Sequence, residues 1–219
     1  MAYNITLFSI ALVGSGFSPN IFNGNVFAEN EVIPSEWNWK VTNTGSTPLV
    51  SQIEYNLGYF TIRTERNRIS FFDNAIKDKP DKSKIIEVVK RFVEKYKHLN
   101  FLAVGVNFES VLEMDDGDKH ILDKFVSKAI KSDERLKAAS VNLAYLIDEN
   151  TALRNVLEGG IIEREFADGT SNKHAGIIIK TNVHRIISND KQIEQIKISL
   201  KSIKSDWNTL NDIVKTYIK

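Results

Sequence analysis

Few residues in this chain combine a reactive type with a spacing that chemistry could use. Glu113, Asp115, Asp116 and Asp118 form one acidic cluster. Hard cations such as Ca²⁺ and Mg²⁺ want close carboxylates of this kind. The spacing lacks the EF-hand pattern, however, and the cluster falls where a turn and a helix start are expected. Asp118 as an N-cap accounts for it. The four histidines are His98, His120, His174 and His184, and none stands at metal-pair spacing from another or in an H-E-x-x-H motif. Glu163 and Glu165 share one strand face, with Arg164 opposite. Paired carboxylates can do acid–base work, but an exposed, salt-bridged strand gives the same pattern. Gly14-Ser15-Gly16 lacks the third glycine and the helix of a dinucleotide loop. There is no G-x-S-x-G and no P-loop. No catalytic residue, metal or cofactor is expected.

Three strand-like segments each carry an asparagine on the polar face. They read Val104-Gly105-Val106-Asn107-Phe108-Glu109, Ala139-Ser140-Val141-Asn142-Leu143-Ala144 and Lys180-Thr181-Asn182-Val183-His184. Asparagine is a poor strand former, because its side chain competes with the ladder for backbone hydrogen bonds. The candidate ligand or partner surface is therefore Asn107, Glu109, Asn142, Lys180, Asn182 and His184. A second candidate is the run Arg63, Arg66 and Arg68 beside Tyr59, Phe60 and Phe71. Cations interleaved with aromatics suit single-stranded nucleic acid. The net charge of +1 supplies no electrostatic footprint for it.

The chain has 219 residues, 42% hydrophobic and 26% charged, an ordinary globular composition. It contains no cysteine, which removes disulfides, thiolate nucleophiles and cysteine-ligated metals. Abundant isoleucine, asparagine and lysine suggest an AT-rich bacterial or phage origin. Ile5 to Val13 is apolar, yet the first 30 residues hold no Lys or Arg, and a signal peptide wants a positive start. A buried strand is expected there. No run reaches the roughly 18 apolar residues of a membrane helix. A cytoplasmic protein without membrane contact is expected.

Hydrophobic periodicity sets the elements. Trp37, Trp39 and Val41 share one face of a second strand. Ile53, Tyr55 and Leu57 alternate, the phase slips at Gly58-Tyr59 as at a β-bulge, and Phe60 and Ile62 continue. Ile85, Val89, Phe92 and Tyr96 recur at helical spacing. A strand over Leu102–Leu112 follows, then a helix over Lys119–Lys131. Ala139 to Ile147 alternates, Thr151–Leu157 reads as a short helix or loop, and Gly159-Gly160 opens another strand. Ile177 to Val183 is the last strand. The expected fold is α+β: an antiparallel sheet with helices on one face, built from loosely duplicated strand-strand-helix units. It forms a single domain, with pseudo-duplicated halves 1–115 and 116–219.

The chain ends on a long apolar seam. Ile193, Ile196, Leu200, Ile203, Trp207, Leu210, Val214 and Tyr217 alternate steps of three and four. A helix of roughly 28 residues would span about 42 Å. Such a helix either lies along its own sheet or reaches past it into a homodimer, in which Trp207, Leu210, Val214 and Tyr217 would meet a second copy.

The hairpin after Ile53, the helix after it and the strand Ala103-Val104-Gly105-Val106-Asn107-Phe108 resemble a set of sporadically distributed bacterial proteins of unknown function. The resemblance is confined to residues 53–112. It implies a bacterial α+β protein acting within a larger system. The function expected is a non-enzymatic interaction or assembly component with a protein partner. Two alternatives stand beside it. One is a small-ligand-binding protein or hydrolase with a pocket between the sheet and the C-terminal helix. The other is single-stranded nucleic-acid binding.

Overall fold

The computed structural model describes residues 3–24, 26–76 and 79–218. Among them, nine strands form one sheet: β1 (Tyr3–Ser15), β2 (Val41–Ser46), β3 (Val50–Tyr55), β4 (Phe60–Glu65), β5 (Arg68–Asp73), β6 (Asn100–Glu113), β7 (Ser140–Asp148), β8 (Thr151–Glu165) and β9 (Ser171–Ile186). Their order is β2-β3-β4-β5-β1-β6-β9-β8-β7, and every neighbouring pair is antiparallel. The helices are α1 (Val26–Glu29), α2 (Ile85–Lys95), α3 (Gly117–Phe125), α4 (Lys128–Lys131), α5 (Gln192–Lys201) and α6 (Ile203–Ile218). The fold is α+β, with α2, α3, α5 and α6 packed on one sheet face.

The topology repeats itself about the central pair. From β1 the chain crosses to one edge, returns through β2, β3, β4 and β5, and leaves on α2. From β6 it crosses to the other edge, returns through β7, β8 and β9, and leaves on α5 and α6. The second path therefore opens at Asn100, where β6 starts, and not after residue 115.

Strand periodicity divides the sheet into two unlike faces. Phe8, Ile10 and Leu12 of β1 point to the helices and are fully buried. Opposite them on β6 lie Phe108, Val106 and Val104. Phe8 and Phe108 stack at 5.6 Å. The α2 stripe of Ile85, Val88, Val89, Phe92 and Val93 covers one half of this face. Trp207 of α6 covers the other, stacking on Tyr3 at 5.5 Å and lying 5.3 Å from Phe108.

Two polar contacts pin α6 to the sheet. Arg185 of β9 donates to both carboxylate oxygens of Asp206, at 2.9 and 2.6 Å. Fully buried Asn155 accepts from Thr181 at 2.7 Å and donates to the Tyr217 hydroxyl at 3.3 Å, which also meets the Tyr145 hydroxyl at 2.8 Å. Burial pushes the Tyr217 phenol above its ordinary range.

Several local expectations are corrected. The terminal helix is two helices that meet at Ser202, where the Ser202 N–H and hydroxyl both turn back to Ile198 O. Thr151–Leu157 is strand, the first part of β8. The phase slip at Gly58 is the turn between β3 and β4, with Asn56, Leu57 and Gly58 all at positive φ. Trp37 ends a 3-10 turn and only Val41 is in strand. The N-cap of α3 is Asp116, which accepts from Lys119 N–H at 2.9 Å, and Asp118 sits in the first turn.

Candidate functional site

The side of the sheet away from the helices carries a trough along its middle. Its floor is made of the small residues Ser9, Ala11, Ser70 and Gly105, brought side by side by the β5-β1-β6 register. One wall is Arg63, Arg68 and Phe72, and the other is Asn107, Asn182 and His184. The cavity between them measures about 480 Å³. Gly105 belongs to this design, because a Cβ there would lie 3.1 Å from Asn182 Nδ2.

The right wall is a hydrogen-bonded row. Asn182 donates to Asn107 Oδ1 at 2.6 Å, and Asn107 donates to Ser9 Oγ at 3.2 Å. His184 stands one step further along β9, opposite Gly105. On the left wall, Arg63 and Arg68 each approach Glu65 at 3.0 Å. Two guanidinium groups thus share one carboxylate, and the wall keeps a positive excess. Arg154 is exposed and stands opposite Asn182 on β8.

One end of the trough is crossed by a strap. Beyond Gly176, β8 and β9 leave β6 behind and continue as a two-stranded ribbon. Gly176 has φ +146°, and a Cβ there would sit 2.1 Å from Leu112 O, so the departure point tolerates only glycine. Ile162, Arg164, Asn172 and His174 share the inner face of the ribbon. Arg164 donates to Thr6 O and to the Glu109 carboxylate. His174 pairs with Glu113 at 2.9 Å, and Asn4 donates to the same carboxylate at 2.9 Å. The His174 hydrogen bond holds the Glu113 carboxyl below its usual range. At the tip, Tyr59 donates to Asp168 at 2.7 Å, and its ring meets Phe166 edge-on at 4.5 Å. The ribbon therefore reaches from β6 to the β3–β4 turn. Under it lies a second cavity of about 290 Å³, walled by Asn4, Ile5, Thr6, Ile76 and the four inner-face residues.

The six candidate surface residues all lie on the helix-free face, but they do not form one cluster. Asn107, Asn182 and His184 line the trough. Glu109 is engaged by Arg164 under the strap. Lys180 is paired with Glu158. Asn142 is on edge strand β7, opposite Val156, and makes no contact with the other two asparagines. The expected pocket between these residues and the C-terminal helix does not form, because α6 packs on the opposite face and the space there is filled by core side chains. The terminal seam is likewise used inside the protomer: Leu210, Val214 and Tyr217 are 0, 2 and 7% exposed.

Sequence reasoning missed the contribution of Arg164, Thr6 and His174. Glu163, the more conspicuous neighbour, faces outward and pairs with Lys173 at 3.3 Å. The residues paired with carboxylates on the inner face showed no spacing signal, because they meet only when the ribbon folds over. In sequence the arginine run stands out for its aromatic neighbours, yet Arg63 and Arg68 matter as one wall of the trough. Among the described residues, no group of three or more His, Asp or Glu could hold a metal ion. Among the described residues, no helix is long and apolar enough to cross a membrane.

The fold and site together define a helix-backed antiparallel sheet with a polar, cation-walled trough on its open face. No protein-family model and no curated protein matches the chain.

Proposed function

We propose that this is a non-enzymatic interaction protein, a cytoplasmic component of a larger bacterial assembly, whose trough seats an extended acidic segment of a partner protein. The carrying observation is the left wall, where Arg63 and Arg68 share the single carboxylate of Glu65 above a floor of small residues. A floor without bulk admits a main chain, and unneutralised guanidinium favours carboxylates. Among the described residues, Phe72 is the one Phe, Tyr or Trp lining the trough, which gives stacked bases little platform beside His184. Native pull-down with mass spectrometry, comparing the wild type with Arg63→Glu/Arg68→Glu/Arg154→Glu, tests the reading. A partner with an acidic segment should be retained by the wild type and lost by the variant. A peptide copy of that segment should bind more weakly as salt rises. Equal retention by both proteins, or capture of nuclease-sensitive nucleic acid instead, sinks it.

A second reading, small-ligand binding, is favoured by a different observation. The cavity under the strap sets Ile5, Ile76 and Ile162 against Arg164, Asn172 and His174. Such a mix of apolar wall and a few convergent polar groups is typical of ligand pockets. A thermal-shift screen of small metabolites checks it. Stabilisation that vanishes when Ile76→Trp fills the cavity supports this reading, and no stabilisation by any compound removes it.

A further inference from the structure

The sheet has two edges, and they differ in protection. Edge strand β2 spans only six residues, carries no apolar side chain after Val41, and has a register shift between Val41 and Asn43. Those are common defences against strand addition. At the other edge, β7 runs for nine residues with no Lys, Arg, Glu, Pro or Gly. Its single charge, Asp148, is the last residue, and its only register shift lies between Leu146 and Asp148. Among the described residues, no backbone hydrogen bond outside the sheet ladder reaches β7. Leu146 and Ile147 are 78% and 52% exposed. Val141, Leu143 and Tyr145 are only half buried, although they belong to the core-facing side.

We propose that β7 pairs antiparallel with β7 of a second copy of this chain, joining two nine-stranded sheets into one. A strand that carries no charge before its final residue can face itself without like-charge repulsion, so a second copy suits it. Alternation restricts the register. The core-facing sides of both copies coincide only if paired residue numbers add to an even total. Placing the two-fold axis at Tyr145 sets Ala144 against the second copy's Leu146, and Leu143 against the second copy's Ile147. Both exposed apolar side chains then gain apolar neighbours. Shifting the axis to Ala144 would set Leu146 against Asn142 instead. With the axis at Tyr145, residues 142–148 of each copy face each other, which adds about 24 Å of ladder. It also moves self-association from the terminal helix, whose apolar residues are already buried, to the edge of the sheet.

Light scattering over a concentration series, with two kinds of variant, decides the matter. The wild type should show a concentration-dependent dimer. Leu146→Glu should raise its dissociation constant about tenfold or more, with an unchanged circular dichroism spectrum, since the side chain is exposed. Because the chain has no cysteine, Ala144→Cys/Leu146→Cys should cross-link efficiently on oxidation while Ala144→Cys alone should not. A wild type that stays monomeric at its highest soluble concentration overturns the proposal. So does a dimer indifferent to Leu146→Glu, or one that fails to cross-link through the double variant.

Discussion

Asn107 and Asn182 face each other across the β6–β9 ladder, and the amide of one donates to the carbonyl of the other at 2.6 Å. The pair is continued by Ser9 on β1, so three strands share one polar row at the side of the trough. Because Gly105 lies under Asn182, bulk at that position tests the trough without touching the core. Gly105→Leu should abolish capture of the acidic partner while moving the melting temperature by only a few degrees, about the effect of 1 kcal/mol in a chain of this size. Calorimetry and pull-down on the same sample check both halves of that expectation.

The strap has a pH-dependent latch. Hydrogen bonds from Thr170 and Tyr59 hold the Asp168 carboxyl down to about 2. A carboxyl depressed in the folded state adds stability above its unfolded value of about 3.9. That stability is lost as pH falls through about 2. Protection against amide exchange over residues 160–175, corrected for the intrinsic pH dependence of exchange, should therefore hold from neutral pH down to about 4 and fall below. Asp168→Asn should show the faster exchange already at neutral pH.

Arg185 and Asp206 lie between β9 and α6 with side chains 16% and 10% exposed. Removing one partner leaves a poorly hydrated charge behind. Asp206→Ala should cost about 3–5 kcal/mol in urea unfolding. Arg185→Met/Asp206→Leu should recover most of that loss, and a double-mutant cycle measures the coupling.

Tyr217→Phe should cost about 1–3 kcal/mol. The substitution keeps the ring against Phe125 but leaves Asn155 Nδ2 and the Tyr145 hydroxyl without their partner. Tyr145→Phe/Tyr217→Phe should cost less than the two single losses added together, and the urea midpoints show whether it does.

Alternation made most strands legible, and the helical stripe of Ile85, Val89 and Phe92 is buried as its spacing requires. The first part of β8 was illegible for a physical reason. Asn155 is a fully buried polar residue satisfied by Thr181 and Tyr217, and in sequence it looks like a solvated one. The phase of Asn107 and Asn182 placed them on the polar face. Their pairing depended on register, which no spacing along one strand encodes. The strap was hidden for the same reason: Ile162 and Arg164 continue an ordinary alternation while the ribbon that carries them turns over the sheet at Gly176.

The mirrored path of the two halves has a kinetic side. The β1–β6 seam at the centre joins residues as far apart as Asn4 and Glu113, 109 positions along the chain. Each meander can close through short turns, but the first strand made must wait for the sixth before it gains this neighbour. Loop closure over such a distance yields no contacts until late, which slows folding. Until then β1 and β6 each present an apolar, unpaired edge. A seam buried at the centre of the finished molecule is thus left open during its synthesis.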